Sequence, residues 1–423
     1  MLARVGLKTK EQRSWALYDW GNSAFPTIMM TAVLPIYYAD VLADGLDDHI
    51  KTAYWGYTSA IAMAIIAFIG PFVGALGDIV GRKKPFVLAG TLLGMVFSGL
   101  LAMLSGGDWV LGSCFFILGN IGFAFAEIAY NSLLPHIASQ EEVNRVSTAG
   151  YAIGYFGGGI CLCICLAMIQ APSFFGFANA SEGVRASFLC VAAWWGVFTV
   201  PLLRNIKEPY ERVEKKPFSF LSPLKKNIET LKKLRQHKNV FLFLLAFWAY
   251  SDGIGTVIKM ATVYGKEVGI GTSDLIGAIV MVQFAGVFFT FGFGKIADFL
   301  GQKKTLCLAL SIYSVICVLA YYMTEGWQFW ILGFLLSMVQ GGAQAISRSL
   351  FSNIIPKEHA GEFFGFYSVS SRFAGIFGPL IFGFFSQVMG SSRHSILAIV
   401  VLFVIGMAIL LKVDTKEGGK AAA

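Results

Sequence analysis

Six charged side chains stand inside long apolar stretches of this sequence, and their types decide what chemistry the chain could perform. They are Asp19, Glu127, Asp252, Lys259, Arg348 and Arg372. Burying an ionised group among apolar residues is expensive, so such groups bind one another, a proton or a charged solute. We therefore predict that these acids and bases hold a polar solute or couple its movement to protons. Lys259 is the exception, because we place it near a helix end, where its ammonium snorkels to the interface.

The apolar stretches themselves are long enough to cross a membrane. Of the 423 residues, 56% are hydrophobic and 14% are charged, and the mean hydropathy is +0.67, whereas soluble proteins carry about 25% charged residues. A run of about 20 apolar residues spans the hydrocarbon core as a helix, because a helix satisfies its own backbone hydrogen bonds. We predict an all-α membrane protein with twelve transmembrane helices. They cover roughly residues 14–39, 53–77, 84–105, 109–134, 146–170, 183–203, 239–264, 273–298, 304–323, 327–352, 363–389 and 394–411.

Lysine and arginine residues are concentrated on one side of the predicted membrane. Alternate loops carry clusters such as Arg82 to Lys84 and the cations of residues 204–238. The remaining loops carry Lys51, Arg185, Lys266 and Arg393. The positive-inside rule then places both termini in the cytoplasm, with the chain in the plasma (inner) membrane. The same bias explains the net charge of +8, so we do not interpret it as nucleic-acid binding.

Two segments of the chain repeat. GALGDIVGRKK, which begins at Gly74, recurs as GKIADFLGQKK, which begins at Gly294, and YNSLLP recurs further on as FSNIIP. We predict two parallel six-helix bundles, residues 1–203 and 239–423, joined by a basic cytoplasmic linker, residues 204–238. The linker is interpreted either as a helix lying on the inner leaflet or as a solvated charged segment.

The twelve-helix plan and the doubled turn with the pattern G-x-x-x-D-x-x-G-R-K-K resemble the major facilitator superfamily. More narrowly, ALYDWGNSAF, YNSLLPHIA, SRSLFSNIIP and EFFGFYSVSSRFAGIFGPLIFG are similar to the branch that contains fungal vacuolar amino-acid effluxers and bacterial relatives of unassigned substrate. The resemblance implies a secondary transporter that works by alternating access, with the first and fourth helices of each half lining a cavity. It also implies that the doubled turn controls conformation, although Gln302 replaces the arginine in the second copy. The turn residues are Gly74, Asp78, Gly81, Arg82, Gly294, Asp298 and Gly301.

Candidate residues for binding or coupling follow from helix periodicity and from the repeat. Gln340, Gln344 and Arg348 recur every fourth residue, which predicts a polar stripe on one helix. The register of the repeat sets Glu127 against Arg348, either as hooks for a zwitterion, as a gate, or as a permanent structural ion pair. The same register sets Arg372 against Tyr151 and Asp252 against Asn22. The full candidate set is Asp19, Asn22, Glu127, Asn131, Tyr151, Asp252, Gln340, Gln344, Arg348 and Arg372.

Asp19 begins a polar face of the first predicted helix that continues at Asn22, Ser23 and Pro26. A carboxylate in a cavity that alternates between two solvents can take up and release a proton. Our hypothesis is that Asp19 couples or gates transport. The alternative is a structural hydrogen bond to a neighbouring helix. Pro26 is expected to loosen the helix near the middle of the membrane.

Enzyme signatures are missing from the sequence. The five histidines lie in loops or at span ends without the spacing of a metal site or a catalytic triad, and there is no phosphate-binding glycine loop. We expect neither enzyme activity nor a cofactor. Cys161 and Cys165 share a helix face while Cys163 points elsewhere, so the CLCIC motif is interpreted as apolar packing and not as a metal site.

The sequence therefore favours a monomeric secondary transporter of a small polar solute. An amino acid or related zwitterion is the preferred solute, because the predicted cavity holds both signs of charge, and protons are the candidate coupling ion. Two alternatives stay open. One is an exporter of drugs or amphipathic metabolites, which the 38 phenylalanines would suit. The other is a non-transporting membrane sensor or scaffold.

Overall fold

The computed structural model describes residues 7–80, 82–138, 142–207, 232, 235–355, 363, 366–367, 370–371 and 373–414. Every regular element in this part of the chain is helical. The longer α-helices are α1 (Lys10–Asn22), α2 (Asp48–Val80), α3 (Lys84–Leu101), α4 (Trp109–Asn131), α5 (Val143–Gln170), α6 (Ala180–Asn205), α7 (Lys238–Glu267), α8 (Thr272–Leu300), α9 (Gln302–Tyr321), α10 (Gly326–Ile354), α11 (Phe377–Met389) and α12 (Ser392–Leu411).

Eleven helical segments of the described residues are long and apolar enough to cross a membrane, and each coincides with a predicted stretch. The first of them runs from α1 to Leu42. The remaining predicted stretch, residues 363–389, contains the shorter apolar helix α11, and part of it lies outside the described residues. The all-α membrane fold predicted from the sequence is confirmed.

The first membrane segment changes its helical geometry after α1. It continues as a π-helical segment, Phe25–Ala32, and later as a second one, Tyr38–Leu42. Pro26 stands at the start of the first of these segments. A proline lacks the N–H that an α-helix needs and clashes with the preceding turn, so the loosening predicted at Pro26 is confirmed. Such π-helical turns occur frequently at functional sites.

Backbone contacts divide the chain into two compact units. The first unit is Met1–Leu46 with Phe68–Phe218, and the second is Asp47–Ala67 with Ser219–Ala423. The helix α2 therefore contributes its first part to the second unit and the rest to the first. The predicted bundles of residues 1–203 and 239–423 stay a prediction. Most of the predicted linker, residues 204–238, lies outside the described residues.

In the first unit, α1 packs against α5 and α6, and α3 packs against α4 and α6. The start of α1 is fixed by a capping box, in which the Thr9 hydroxyl accepts from the Gln12 backbone N–H at 3.1 Å and the Gln12 side chain accepts from the Thr9 N–H at 3.2 Å. Two glycines, Gly90 on α3 and Gly122 on α4, allow these helices to approach closely, since a Cβ at either position would collide with the partner backbone.

In the second unit, α8 packs against α10, and α7 packs against α12. The first part of α2 is held in this unit by side-chain hydrogen bonds. The Trp55 indole donates to the backbone carbonyl of Lys259 at 3.2 Å, and the Tyr57 hydroxyl donates to Gln387 on α11 at 2.7 Å. These bonds attach α2 to both α7 and α11.

Candidate functional site

A cavity of about 290 Å³ lies within the second unit, between α7, α10 and the residues that precede α11. Its polar lining consists of Tyr250, Ser251, Lys259, Gln344, Ser347, Arg348, Tyr367 and Ser371. The apolar part includes Met63, Phe247, Ile254 and Ile258. A cavity that combines apolar surface with polar groups can bind a small molecule and fix its orientation.

Arg348 is the exposed cation of this cavity. Its guanidinium makes no ion pair within the part of the chain that the structure describes. One turn earlier on α10, Gln344 is also exposed and lines the cavity. Between them Ser347 is buried and fixed, since it accepts from the Tyr250 hydroxyl at 2.8 Å. A planar guanidinium beside an amide can bind a carboxylate through two parallel hydrogen bonds.

Aromatic rings support the side of the cavity that carries Arg348. The ring of Tyr367 lies 4.5 Å from that of Phe247 and 4.8 Å from that of Phe351, measured between centroids. The Phe247 ring meets that of Tyr250 edge-on at 5.6 Å. Contacts of this kind favour fixed ring orientations, so this wall is rigid and offers apolar surface to a bound molecule.

Asp252 and Lys259 lie two turns apart on α7 and attract each other electrostatically. Asp252 is only 3% exposed, and its Oδ2 accepts from the backbone N–H of Gly378 at 2.7 Å. Its Oδ1 has no hydrogen-bond partner among the described residues. Lys259 lines the cavity, so the prediction that it snorkels to the membrane interface is wrong.

Two acids of the first unit interact electrostatically. The charge of Glu127 on α4 acts on the carboxylate of Asp19 on α1, and the side chains of Ser23 and Tyr130 lie beside that carboxylate. The helix α5 approaches it through a glycine, because a Cβ on Gly154 would lie 3.1 Å from Asp19 Cγ. Asp19 is only partly exposed and lies where three helices of this unit meet.

Aromatic side chains surround the acidic pair. The Tyr130 ring stacks on Trp15 at 4.5 Å and lies 4.6 Å from the Tyr18 ring. The Tyr18 hydroxyl is 3.3 Å from the Thr91 hydroxyl, and the buried Asn22 lies beside it. These rings pack against the residues of α1, so Asp19 lies among closely packed aromatic side chains.

The other candidates from the sequence fall in different places. Gln340 is partly buried and is not among the residues that line the cavity. Asn131 is exposed at the last residue of α4, and Tyr151 is exposed on α5. Arg372 lies outside the described residues, so its predicted relation to Tyr151 stays a prediction.

The repeated turn is described only in part. Gly74 and Asp78 belong to α2 and Gly294 and Asp298 to α8, but the surroundings of these four residues lie outside the described part, as does Gly81. Arg82 is exposed.

In the second copy, Gly301 has φ +85°, a conformation that favours glycine. Gln302, which replaces the arginine, donates to Ser349 at 2.6 Å and accepts from Asn353 at 2.9 Å. The second copy therefore joins α9 to α10 through neutral hydrogen bonds.

Sequence reasoning did not assign six polar residues of the cavity lining, Tyr250, Ser251, Lys259, Ser347, Tyr367 and Ser371. For Lys259 a signal existed, because it follows Asp252 by seven residues and so shares its helix face. Ser347 is adjacent to Arg348 but lies off the four-residue stripe. Tyr367 comes from a separate segment, which only the tertiary structure brings to α7 and α10.

Sequence comparisons show which known proteins the chain is similar to. Residues 45–423 match the family described as "Vacuole effluxer Atg22 like". The chain is 38% identical over 406 residues to the MFS-type transporter YxiO of Bacillus subtilis, which covers 95% of this chain and 94% of that protein. It is 25% identical over 301 residues to autophagy-related protein 22-1 of Aspergillus niger, covering 66% of this chain and 48% of the fungal protein. The aligned region therefore spans about half of that relative.

Solved structures with a similar fold are transporters. The nucleoside transporter NupG matches 98% of this chain and 100% of its own with a TM-score of 0.68 at 13% identity. A D-xylose–proton symporter matches 98% of both chains with a TM-score of 0.67 at 15% identity. A bacterial homologue of the human lysosomal transporter Spinster gives a TM-score of 0.65 at 16% identity, over 99% of this chain and 98% of that one. At these identities the likeness shows the fold.

Proposed function

Because the chain belongs to the Atg22-like vacuole effluxer family and is a multi-pass membrane transporter with the major facilitator fold, we propose that it carries a small zwitterionic solute, such as an amino acid, by alternating access. The similar proteins are transporters and not enzymes, which agrees with secondary transport.

The lining of the cavity in the second unit supports a zwitterion. The cavity carries two cations, Lys259 and Arg348, and the charge of Asp252 acts on Lys259. Arg348 offers a partner to a carboxylate, and the amide oxygen of Gln344 and the hydroxyls of the same cavity offer acceptors to an ammonium. Arg348, which has no ion pair among the described residues, is our candidate for the carboxylate.

The size of the cavity suits a small solute. Its volume of about 290 Å³ lies at the lower end of the range of about 300–1,000 Å³ that ligand pockets usually enclose. Its apolar lining, with Phe247, Ile254 and Ile258, suits the hydrocarbon part of an amino-acid side chain.

We also propose that protons drive the cycle through the acidic pair. The charge of Glu127 acts on the carboxylate of Asp19, and a carboxylate in a cavity that alternates between two solvents can take up and release a proton. The π-helical segment that follows α1, Phe25–Ala32, would let the chain near Asp19 change its geometry between states.

The membrane and orientation belong to the same proposal. The lysine and arginine bias of the loops supports a plasma-membrane protein with both termini in the cytoplasm. We propose a monomer, since one chain supplies both units.

A binding screen with matched derivatives tests the zwitterion proposal. The purified protein in detergent is heated with each L-amino acid, with the corresponding decarboxylated amine and with the corresponding N-acetyl amino acid; xylose and uridine are added as neutral solutes. A ligand that binds the folded state raises its melting temperature. We expect a rise with one or more amino acids and none with derivatives that lack either charge. A rise with amines alone, or with xylose or uridine alone, would refute the proposal.

A further inference from the structure

Three cysteines meet in the first unit, away from the acidic pair. Cys161 and Cys165 on α5 and Cys190 on α6 place their Sγ atoms all within 4.8 Å of one another. The first two are buried and the third is partly exposed. Cys163, two positions from both Cys161 and Cys165, is exposed and outside the cluster. The interpretation of the CLCIC motif as apolar packing considered only the cysteines of α5. Cys190 lies on α6, the next helix, and joins Cys161 and Cys165 only in the folded structure.

The cluster has the geometry of a three-sulfur ligand set. The point equidistant from three sulfurs that are at most 4.8 Å apart lies no more than about 2.8 Å from each, which is 4.8 Å divided by the square root of three. Bonds from thiolate sulfur to a metal such as zinc are about 2.3 Å long. Each Sγ atom would therefore move inward by about 0.5 Å at most, a shift within reach of small side-chain rotations.

We propose that Cys161, Cys165 and Cys190 form a binding site for a soft monovalent cation, with Cu(I) as its type. Thiolate ligands select soft ions. Structural zinc sites take four ligands. The Ser187 hydroxyl lies beside Cys165, but it already donates to the Gly183 carbonyl at 2.9 Å. Among the described His, Cys, Asp and Glu residues no fourth ligand joins the three sulfurs, and a three-sulfur set suits Cu(I) better than Zn²⁺.

Binding of the ion is coupled to the release of protons. Cysteine ligates a metal as thiolate and not as thiol. When Cu(I) binds, each cysteine that ligates it therefore releases its proton to water, and no electron is transferred.

A bound ion would join α5 to α6 without occupying the proposed transport site. Cys161 lies seven residues after Gly154, which contacts Asp19, and seven residues of helix extend about 10 Å. The ion would stabilise the folded first unit in proportion to its occupancy. This proposal does not rest on the proposed transport function, so either can fail without the other.

Single cysteine variants test the site against a matched neighbour. Reduced, oxygen-free protein is titrated with Cu(I) in competition with a coloured Cu(I) chelator, and the coordination is measured by X-ray absorption. We expect one ion per chain with three sulfur ligands. Cys161→Ser, Cys165→Ser and Cys190→Ser should each weaken binding by roughly tenfold or more, since even residues that only orient a metal ligand contribute that much. Cys163→Ser should bind like the wild type.

Stability measurements separate loss of the site from misfolding. Cu(I) should raise the melting temperature of wild-type protein and of Cys163→Ser, but not that of Cys190→Ala, in which a small apolar residue keeps the packing. The proposal is overturned if wild-type protein takes up no Cu(I), if Cys190→Ala binds it as tightly as the wild type, or if uptake depends on Cys163.

Discussion

Replacing Arg348 by glutamine should weaken the binding of an amino acid through the loss of one charge partner. Truncating one member of a hydrogen-bonded charge pair costs about 2–5 kcal/mol when the pair is fully desolvated. Arg348 is exposed to its cavity, so we take the lower part of this range, about 2–3 kcal/mol. At about 1.4 kcal/mol for each factor of ten, Arg348→Gln should raise the Kd by about 30- to 140-fold.

Arg348→Lys should have an intermediate effect. Lysine keeps the positive charge but loses the planar fork that binds both carboxylate oxygens, so we expect a Kd about tenfold above the wild-type value, roughly one good hydrogen bond to a charged group. Lys412→Gln serves as the control, because it removes an exposed cation that does not line the cavity. Its Kd should match that of the wild type.

Isothermal titration calorimetry of the purified variants measures these constants. The ligand is the amino acid that gives the largest thermal shift in the screen, and its decarboxylated amine is the reference. Because the amine lacks the carboxylate, Arg348→Gln should abolish most of the preference for the amino acid over the amine. An equal loss of affinity for both ligands, or a change in Kd smaller than about threefold, would refute the assignment of Arg348 to the carboxylate.

Three further predictions concern coupling, packing and the repeated turn. Asp19→Asn should abolish the stimulation of uptake by a pH gradient in proteoliposomes while exchange of the solute at equal pH persists; unchanged stimulation would exclude Asp19 from coupling. Gly378→Ala should destabilise the protein by about 1–3 kcal/mol in chemical unfolding, because the new Cβ would collide with Thr256 Oγ1 and lie 2.9 Å from the Asp252 carbonyl oxygen. Gly255→Ala, with nothing within 4 Å, is its control and should be neutral or stabilising; equal losses would contradict the packing. Asp78→Ala should slow transport without changing solute affinity, and a change in affinity alone would contradict a conformational role.

The fold could be predicted from the sequence because hydrophobicity and length alone determine which segments cross a membrane. A local backbone feature could also be predicted, as Pro26 shows, because the missing N–H and the ring of a proline affect the turn of helix in which it lies. Long apolar runs separated by charged turns leave few alternatives to a helical bundle.

Residues of the site could be predicted from the sequence only where they recur on one face of a single helix. Gln344 and Arg348 lie on one face of α10 and both line the cavity. Helix periodicity, however, does not predict whether a charged side chain lies in a cavity or at the membrane interface. Lys259 was therefore misplaced, although its electrostatic partner Asp252 was already a candidate.

Contacts between helices distant in sequence could not be predicted. Tyr367 reaches Phe247 across more than a hundred residues, and Cys190 joins two cysteines of another helix. Such contacts depend on how the helices pack against one another. Between membrane helices this packing is determined by small residues and close fit, and not by a hydrophobic pattern in the sequence.

The central claim is that this transporter moves a zwitterion, and exchange in proteoliposomes tests it most directly. Vesicles that contain the purified protein are loaded with an unlabelled amino acid, and the uptake of the same labelled amino acid is measured. Our account predicts uptake that the internal amino acid stimulates and that neither the matched amine nor the N-acetyl derivative inhibits. If no amino acid exchanges while an amine, a pentose or a nucleoside does, the account is wrong.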